Sequence, residues 1–167
     1  MTEQPAIDDY DSRSDALWST IDEYDDEAFR AKIEELVAEL PAGSAVAEFE
    51  RACAFDSTGH PDRAVPLYRR ALELGLEGER RRRAVIQLSS SLRNLGHVSE
   101  SVALLTAERA QPSDGLDDAV SAFLALSLAD SGREREAVSV ALGALAPHLP
   151  RYQRSLGNYA RALVEND

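Results

Sequence analysis

The 167-residue sequence contains one cysteine (Cys53), one tryptophan (Trp18), one methionine and one lysine (Lys32). A single thiol excludes an internal disulfide, and it excludes the paired C-x-x-C clips of a structural zinc site. Long apolar runs are missing too. The most apolar window, Leu116 to Leu128, is short and interrupted by Ser and Asp, so no membrane association is expected. The start shows no cationic stretch leading into an apolar one, which argues against a secretory signal and for a cytoplasmic protein. H-E-x-x-H, G-x-S-x-G and Walker motifs are absent. With no acid–base or nucleophile constellation in view, neither an enzyme nor a cofactor nor a metal is expected. Arginine supplies every basic residue except Lys32, a bias that GC-rich coding produces and that points to a bacterial source.

What the sequence does have is acidity, unevenly placed. The net charge is −12. Residues 1–40 hold 13 acids and 3 bases, a balance of −10; residues 41–167 hold 17 acids and 15 bases, a balance of −2. An acidic chain repels phosphate backbones, so nucleic acid is not the expected partner. At 44% hydrophobic residues the chain is globular in composition, and its length suits one domain.

Helical periodicity organises the chain. Residues 1–11 are polar without period and read as a flexible tail, and the Asp8-Asp9-Tyr10-Asp11 cluster lacks the glycine and closing glutamate of a calcium loop. Residues 12–43 read as an acidic helical pair. Ser12 with Asp15 marks an entry, followed by Leu17, Trp18, Ile21 and Tyr24 at helical spacing. Asp25 can cap the next helix, with its stripe of Phe29, Ile33, Leu36, Val37 and Leu40, and Ser44 can cap the one after that.

From Ser44 the sequence repeats. Gly59-His60-Pro61-Asp62-Arg63-Ala64-Val65, Gly96-His97-Val98-Ser99-Glu100-Ser101-Val102 and Gly132-Arg133-Glu134-Arg135-Glu136-Ala137-Val138 align, with glycines 37 and 36 residues apart. Each segment follows one helical stripe and opens another, which is the pattern of a helix hairpin with glycine at the turn. The first helices carry Phe49, Ala52 and Phe55; Val85, Leu88, Leu92 and Leu95; and Val120, Leu124 and Leu128. The second helices carry Val65, Tyr68, Ala71 and Leu72; Val102 and Leu105; and Val138, Ala141 and Leu145. The small residue five after each glycine (Ala64, Ser101, Ala137) permits close helix approach. Residues 44–147 thus read as three hairpins. Residues 148–167 form a capping helix, with Tyr152, Leu156, Tyr159 and Leu163 inward and Arg151, Arg154 and Arg161 in water. His60 and His97 fall at equivalent turn positions and read as turn or cap residues.

These features resemble the tetratricopeptide repeat family over roughly residues 44–146. Repeat one matches best, with Gly59, Ala64, Val65, Tyr68, Ala71 and Leu72; repeat three follows with Gly132, Ala137, Val138, Ala144, Leu145 and a closing Pro147. Repeat two departs at Glu108, where the family has a small residue. The resemblance implies an all-α superhelix, a solenoid of antiparallel hairpins, that binds a protein or peptide segment as an adaptor or assembly factor. In such proteins the first helix of each hairpin lines the binding groove. Carried over here, the groove residues are Phe49, Cys53 and Asp56; Arg83, Ile86, Gln87, Ser90, Arg93 and Asn94; and Ala122 and Leu126. Two arginines with Gln87 and Asn94 suit an acidic or carboxylate-bearing ligand, because a guanidinium donates in a matching fork. The run Arg80-Arg81-Arg82-Arg83 opens a helix, against its dipole, and reads as a solvated start with one or two groove-facing members. A self-associating homo-oligomeric scaffold is the second expectation. The acidic N-terminal segment is expected to cap the array, with folding over a groove as the alternative.

Overall fold

A computed structural model describes residues 4–165, with side chains from residue 9 onward. Among these residues it contains nine α-helices, two 3₁₀ turns and no strand. The helices are α1 (Gln4–Trp18), α2 (Asp26–Val37), α3 (Ala45–Ser57), α4 (Pro61–Glu73), α5 (Gly78–Asn94), α6 (Val98–Arg109), α7 (Asp117–Asp130), α8 (Glu134–Leu145) and α9 (Gln153–Glu165). They fall into two compact units that divide between Gly75 and Leu76.

The first unit holds α1 to α4. Asp25 caps α2, its Oδ1 accepting from the Ala28 amide at 2.8 Å, and Ser44 caps α3 by accepting from Ala47 at 3.3 Å. Both caps supply acceptors to amides that the first helical turn leaves without partners. Phe29, Ile33 and Val37 of α2 pack with Ala47 and Ala54 of α3, and Leu17, Trp18, Ile21 and Leu40 close over them. Trp18 meets Phe29 edge to face, with ring centroids 5.0 Å apart, and its indole N–H donates to Glu50 at 2.8 Å.

Two expectations for this end change. Helix α1 begins at Gln4, so the tail expected over 1–11 is helical from there, and Ser12 and Asp15 lie inside the helix instead of at its entry. The reason is a tertiary contact that local polarity does not reveal: Tyr10 and Ser14 are 4% and 2% exposed. After Trp18 the helix gives way to a 3₁₀ turn, Ile21–Glu23, which leaves Tyr24 outward.

The three repeat turns share one geometry. Gly59, Gly96 and Gly132 have φ of 77°, 85° and 76°, the left-handed region that a Cβ disfavours. In each turn the following residue's amide reaches back five residues: His60 to Phe55, His97 to Leu92 and Arg133 to Leu128, at 2.8–2.9 Å. This is the Schellman closure, which satisfies carbonyls the ending helix would otherwise strand. His60 and His97 sit at the N-cap positions that follow, but neither side chain makes a capping bond. Hairpin α3–α4 belongs to the first unit; α5–α6 and α7–α8 belong to the second, with α9 against α8.

The small residues behave as their spacing implies. Ala64, Ser101 and Ala137 are buried at the close approaches. In the second unit the Ser101 hydroxyl donates to the Ser89 carbonyl at 2.7 Å and lies 2.8 Å from the Ser127 hydroxyl, tying α6 to α5 and α7. Ile86, Leu105, Val120, Leu124, Ala125, Leu128 and Ala137 form the apolar core around this link.

The second-helix and cap stripes need correction in α8 and α9. Val138 and Leu145 are each 47% exposed, and Tyr152 and Tyr159 are 75% and 71% exposed. Ala160 and Gly157 face inward instead, Ala160 being 2% exposed and a Cβ on Gly157 falling 4.0 Å from that of Ala146, in the 3₁₀ turn that follows α8 (Ala146–His148). That close approach leaves no room for aromatic rings on the same side, so the helix turns both tyrosines outward.

Candidate protein-binding face

The residues that the family resemblance places in a groove separate into three groups. Phe49, Cys53 and Ile86 are interior, at 0%, 3% and 5% exposure, and this corrects their assignment to an open surface. Phe49 packs on Tyr68 with ring centroids 6.3 Å apart, and Ile86 joins the core of the second unit. Their side chains complete the hydrophobic interior, which an apolar residue on a hairpin's inner flank does at lower free energy than it lines water. Asp56 lies beside this interior in the first unit. The Tyr68 hydroxyl donates to Asp56 at 3.4 Å and lies 3.6 Å from Cys53 Sγ. Burial, followed by the neighbouring Cys53 and Asp56, pushes the Tyr68 hydroxyl far above its ordinary range and keeps it a donor.

The third group lies on the second unit. On α5, Arg83, Gln87, Ser90 and Asn94 recur at intervals of four, three and four residues and are exposed or half-buried. On α7, Ala122 and Leu126 are exposed one turn apart, Leu126 at 48%. The two stripes are neighbours because Arg93 Nη1 donates to Asp130 at 2.8 Å across the two helices. Arg93 Nη2 also donates to the Asn94 side-chain Oδ1 at 3.4 Å. The result is a face with polar groups along α5 and small or apolar ones along α7. The cationic centre that composition suggests is tempered, since Arg93 already holds an acid.

Asp130 has no place in the motif reading, yet a signal for it exists. Arg93 lies three residues before Gly96 and Asp130 two before Gly132, so neighbouring register positions at the ends of successive first helices meet.

The arginine run resolves differently from its sequence reading. Arg83 is exposed and Arg80 and Arg81 are half-buried, but Arg82 is buried at 4%. Its Nη1 donates to Glu108 Oε1 at 3.2 Å and to the Glu108 carbonyl at 3.2 Å; its Nη2 donates to Asp117. Asp114 Oδ1 lies 3.0 Å from its Nε without the alignment of a hydrogen bond. Arg81 binds the same Glu108 oxygen from the half-exposed side. The Ser113 hydroxyl, then the Asp114 amide, then Arg82 hold Asp117 below the ordinary carboxylate range. Glu108, which breaks the family pattern, and Arg82, which opposes its helix dipole, are therefore two halves of one buried pair. A cleft of about 700 Å³ borders the cluster, lined by Arg81, Pro112 and Leu116 among others.

The Tetratrico peptide repeat family model matches residues 45–163, from the start of α3 nearly to the end of α9. The chain belongs to the tetratricopeptide repeat family. Its repeats are helix hairpins of the solenoid class, and the match takes α9 into the repeat array. No curated protein and no solved structure matches the chain. Among the described residues no helix is long and apolar enough to cross a membrane.

Proposed function

We propose that this chain works by binding, not catalysis, as an adaptor or assembly factor that holds an extended protein segment on the α5–α7 face. The observation that supports it most is the accessible double stripe: Gln87, Ser90 and Asn94 beside Ala122 and Leu126, bridged by the Arg93–Asp130 pair. Gln87, Ser90 and Asn94 carry donors and acceptors suited to a peptide backbone. Ala122 and Leu126, both exposed, offer an apolar ligand side chain a surface to pack on. Family membership supplies the prior that such a face meets protein.

The segment carries an acid that competes with Asp130 for Arg93. The Arg93 and Asp130 side chains are 23% and 47% exposed, and ion pairs so wetted are worth only ~0–1 kcal/mol, so the exchange costs little. Selection from a displayed library of random peptides tests this reading. The native chain is expected to enrich a shared motif with an Asp or Glu at a fixed position. Arg93→Glu should lose that motif while circular dichroism stays unchanged. Enrichment of no motif, or of one indifferent to Arg93→Glu and to Leu126→Asp, would sink the assignment of this face.

A further inference from the structure

We propose that Arg30, Arg63 and Phe55 form a phosphate site at the turn of the first hairpin, and that its ligand is a phosphorylated side chain on a protein segment. Three helices of the first unit meet there. Phe55 lies half-buried near the end of α3, Arg30 comes from α2, and Arg63 comes from the first turn of α4. The Arg63 guanidinium carbon stands 3.9 Å from the centre of the Phe55 ring, and that of Arg30 stands 5.7 Å from it. Both distances fall in the range in which a ring's π face holds a cation. Thr58, 8% exposed, fixes Arg30: its hydroxyl donates to the Ala54 carbonyl at 2.7 Å and accepts from Arg30 Nη1 at 2.8 Å. The His60 imidazole meets the same ring edge to face, with centroids 6.2 Å apart, and makes no capping bond.

Pairing within the chain does not account for this cluster. The first unit holds 18 acids and 7 bases. Yet among the described residues no acid forms an ion pair with Arg30 or Arg63. Asp26, Glu27 and Asp62 stand close to them in sequence, but these acids occupy the first turns of α2 and α4, where the helix dipole favours them. Two like charges are thus gathered on one ring in an acidic unit. The ring holds a guanidinium through its flat face. The N–H donors lie in the guanidinium plane and remain for a ligand. Of its donors Arg30 commits one, to Thr58.

Charge selects the ligand. Two guanidiniums match a group that carries nearly two negative charges on three acceptor oxygens, which is a phosphate monoester; a carboxylate neutralises only one of them. The surrounding acids select against phosphates in number. A nucleic acid or an anionic membrane lays many charges against the unit's 18 acids and is repelled. A single phosphate meets the two arginines at contact distance, while salt screens the acids farther off. Among carriers of isolated phosphates, membership of a protein-binding family favours a protein. The site lies in the other unit from the α5–α7 face and does not depend on it.

Selection from a library of random peptides, each carrying one phosphoserine, tests the proposal, followed by titration of the best peptide against the full chain. Replacing its phosphoserine with glutamate should weaken binding at least tenfold, and replacing it with serine should abolish binding. Arg30→Gln and Arg63→Gln should each weaken it at least tenfold. Arg63→Lys should weaken it at least threefold, because an ammonium keeps the charge and loses the fork. Arg63 is exposed, so its variants should keep the circular dichroism of the native chain. Arg93→Glu should change nothing, which separates this site from the α5–α7 face. Inorganic phosphate should compete only at concentrations at least a hundredfold higher than the peptide's. Enrichment of no phosphopeptide overturns the proposal, and so does a peptide indifferent to loss of its phosphate or to both arginine substitutions. Inorganic phosphate that binds as tightly as the peptide, or stronger binding to vesicles containing phosphatidic acid, overturns the protein source of the phosphate.

Discussion

Arg82 and Glu108 are buried together, their side chains 5% and 2% exposed, and they join α5 to α6 through both the Glu108 carboxylate and its backbone carbonyl. Neither charge has water to fall back on, so removing one leaves the other buried with fewer partners. Glu108→Ala should destabilise the chain by ~3 kcal/mol, the low end for a broken buried pair, because Asp117 still reaches Arg82. Replacing both partners with methionine should cost far less, within ~1 kcal/mol of the native chain, since apolar side chains of similar volume need no compensation. Urea denaturation of the three proteins checks the ordering. A double variant as unstable as Glu108→Ala would show that shape, not charge pairing, holds these helices.

Two glycines should respond to alanine with opposite signs. Gly96 has φ 85° with nothing within 4 Å of an added Cβ, so its loss is purely conformational. Gly96→Ala should destabilise by ~1 kcal/mol or somewhat more. Gly157 lies inside α9 in ordinary helical conformation, where a Cβ makes only van der Waals contacts at 3.9–4.0 Å. Gly157→Ala should stabilise by ~0.5–1 kcal/mol through helix propensity. Thermal unfolding of both single variants reads the signs directly. Equal destabilisation would mean that α9 approaches α8 more closely than its contacts indicate.

The hairpins were legible because their signal is local: a glycine that must turn left-handed, a small residue five places on, and apolar residues at helical spacing. Caps at Asp25 and Ser44 were legible for the same reason. Helix rotation was not. Phe49 and Ile86 share their faces with groove positions within one turn, and a rotation of a few tens of degrees moves such residues from surface to core. Tyr152 and Tyr159 went the other way, because Gly157 and Ala160 set a contact too close for them. Arg82 reads as solvated in sequence because its partners, Glu108 and Asp117, lie 26 and 35 residues on. The two anomalies that betray the pair, an acid at a small-residue position and an arginine against a dipole, pointed at each other only across space.

The acid side of the stability curve should carry a signature of Glu34. The Arg51 guanidinium donates to Glu34 through Nε and Nη2 at 2.9 and 2.7 Å and holds its carboxyl below the ordinary value near 4.5. A depressed native pKa means that the unfolded chain takes up the proton first as pH falls. The pair's contribution is therefore fully present above the unfolded value and disappears as pH drops through the folded one. The stability difference between the native chain and Glu34→Gln should be constant near neutrality and vanish on acidification below about pH 4. A difference that grows on acidification would reverse the assigned direction of the shift.

Trp18 offers a second polar anchor. Its indole N–H donates to Glu50, which is 4% exposed, while its ring packs on Phe29. Trp18→Phe keeps the aromatic contact and removes the donor. Hydrogen bonds to charged groups are worth ~1.5–3 kcal/mol, and the variant should lose about that much. Trp18→Phe combined with Glu50→Gln should recover part of the loss, because a neutral amide tolerates the missing donor better than a carboxylate. No recovery in chemical denaturation would assign the cost to lost packing.

Asp130 is the residue whose substitution should improve binding. It is tied to Arg93 at 2.8 Å on the face assigned to the partner, so it occupies the donors that an acidic ligand needs. Asp130→Asn leaves size and helix position unchanged and releases the guanidinium. Given the modest worth of an exposed pair, an acidic peptide selected on the native chain should bind up to about fivefold tighter, the ratio that ~1 kcal/mol produces. The gain should shrink as salt rises, because the new contact is a wetted ion pair. Arg93→Glu should abolish binding, and adding Asp130→Asn to it should restore nothing, since the acceptor's partner is gone. Isothermal titration of one peptide against the four proteins decides the matter. If Asp130→Asn weakens binding, Asp130 positions Arg93 for the ligand and does not compete with it, and the exchange mechanism fails even where the face survives.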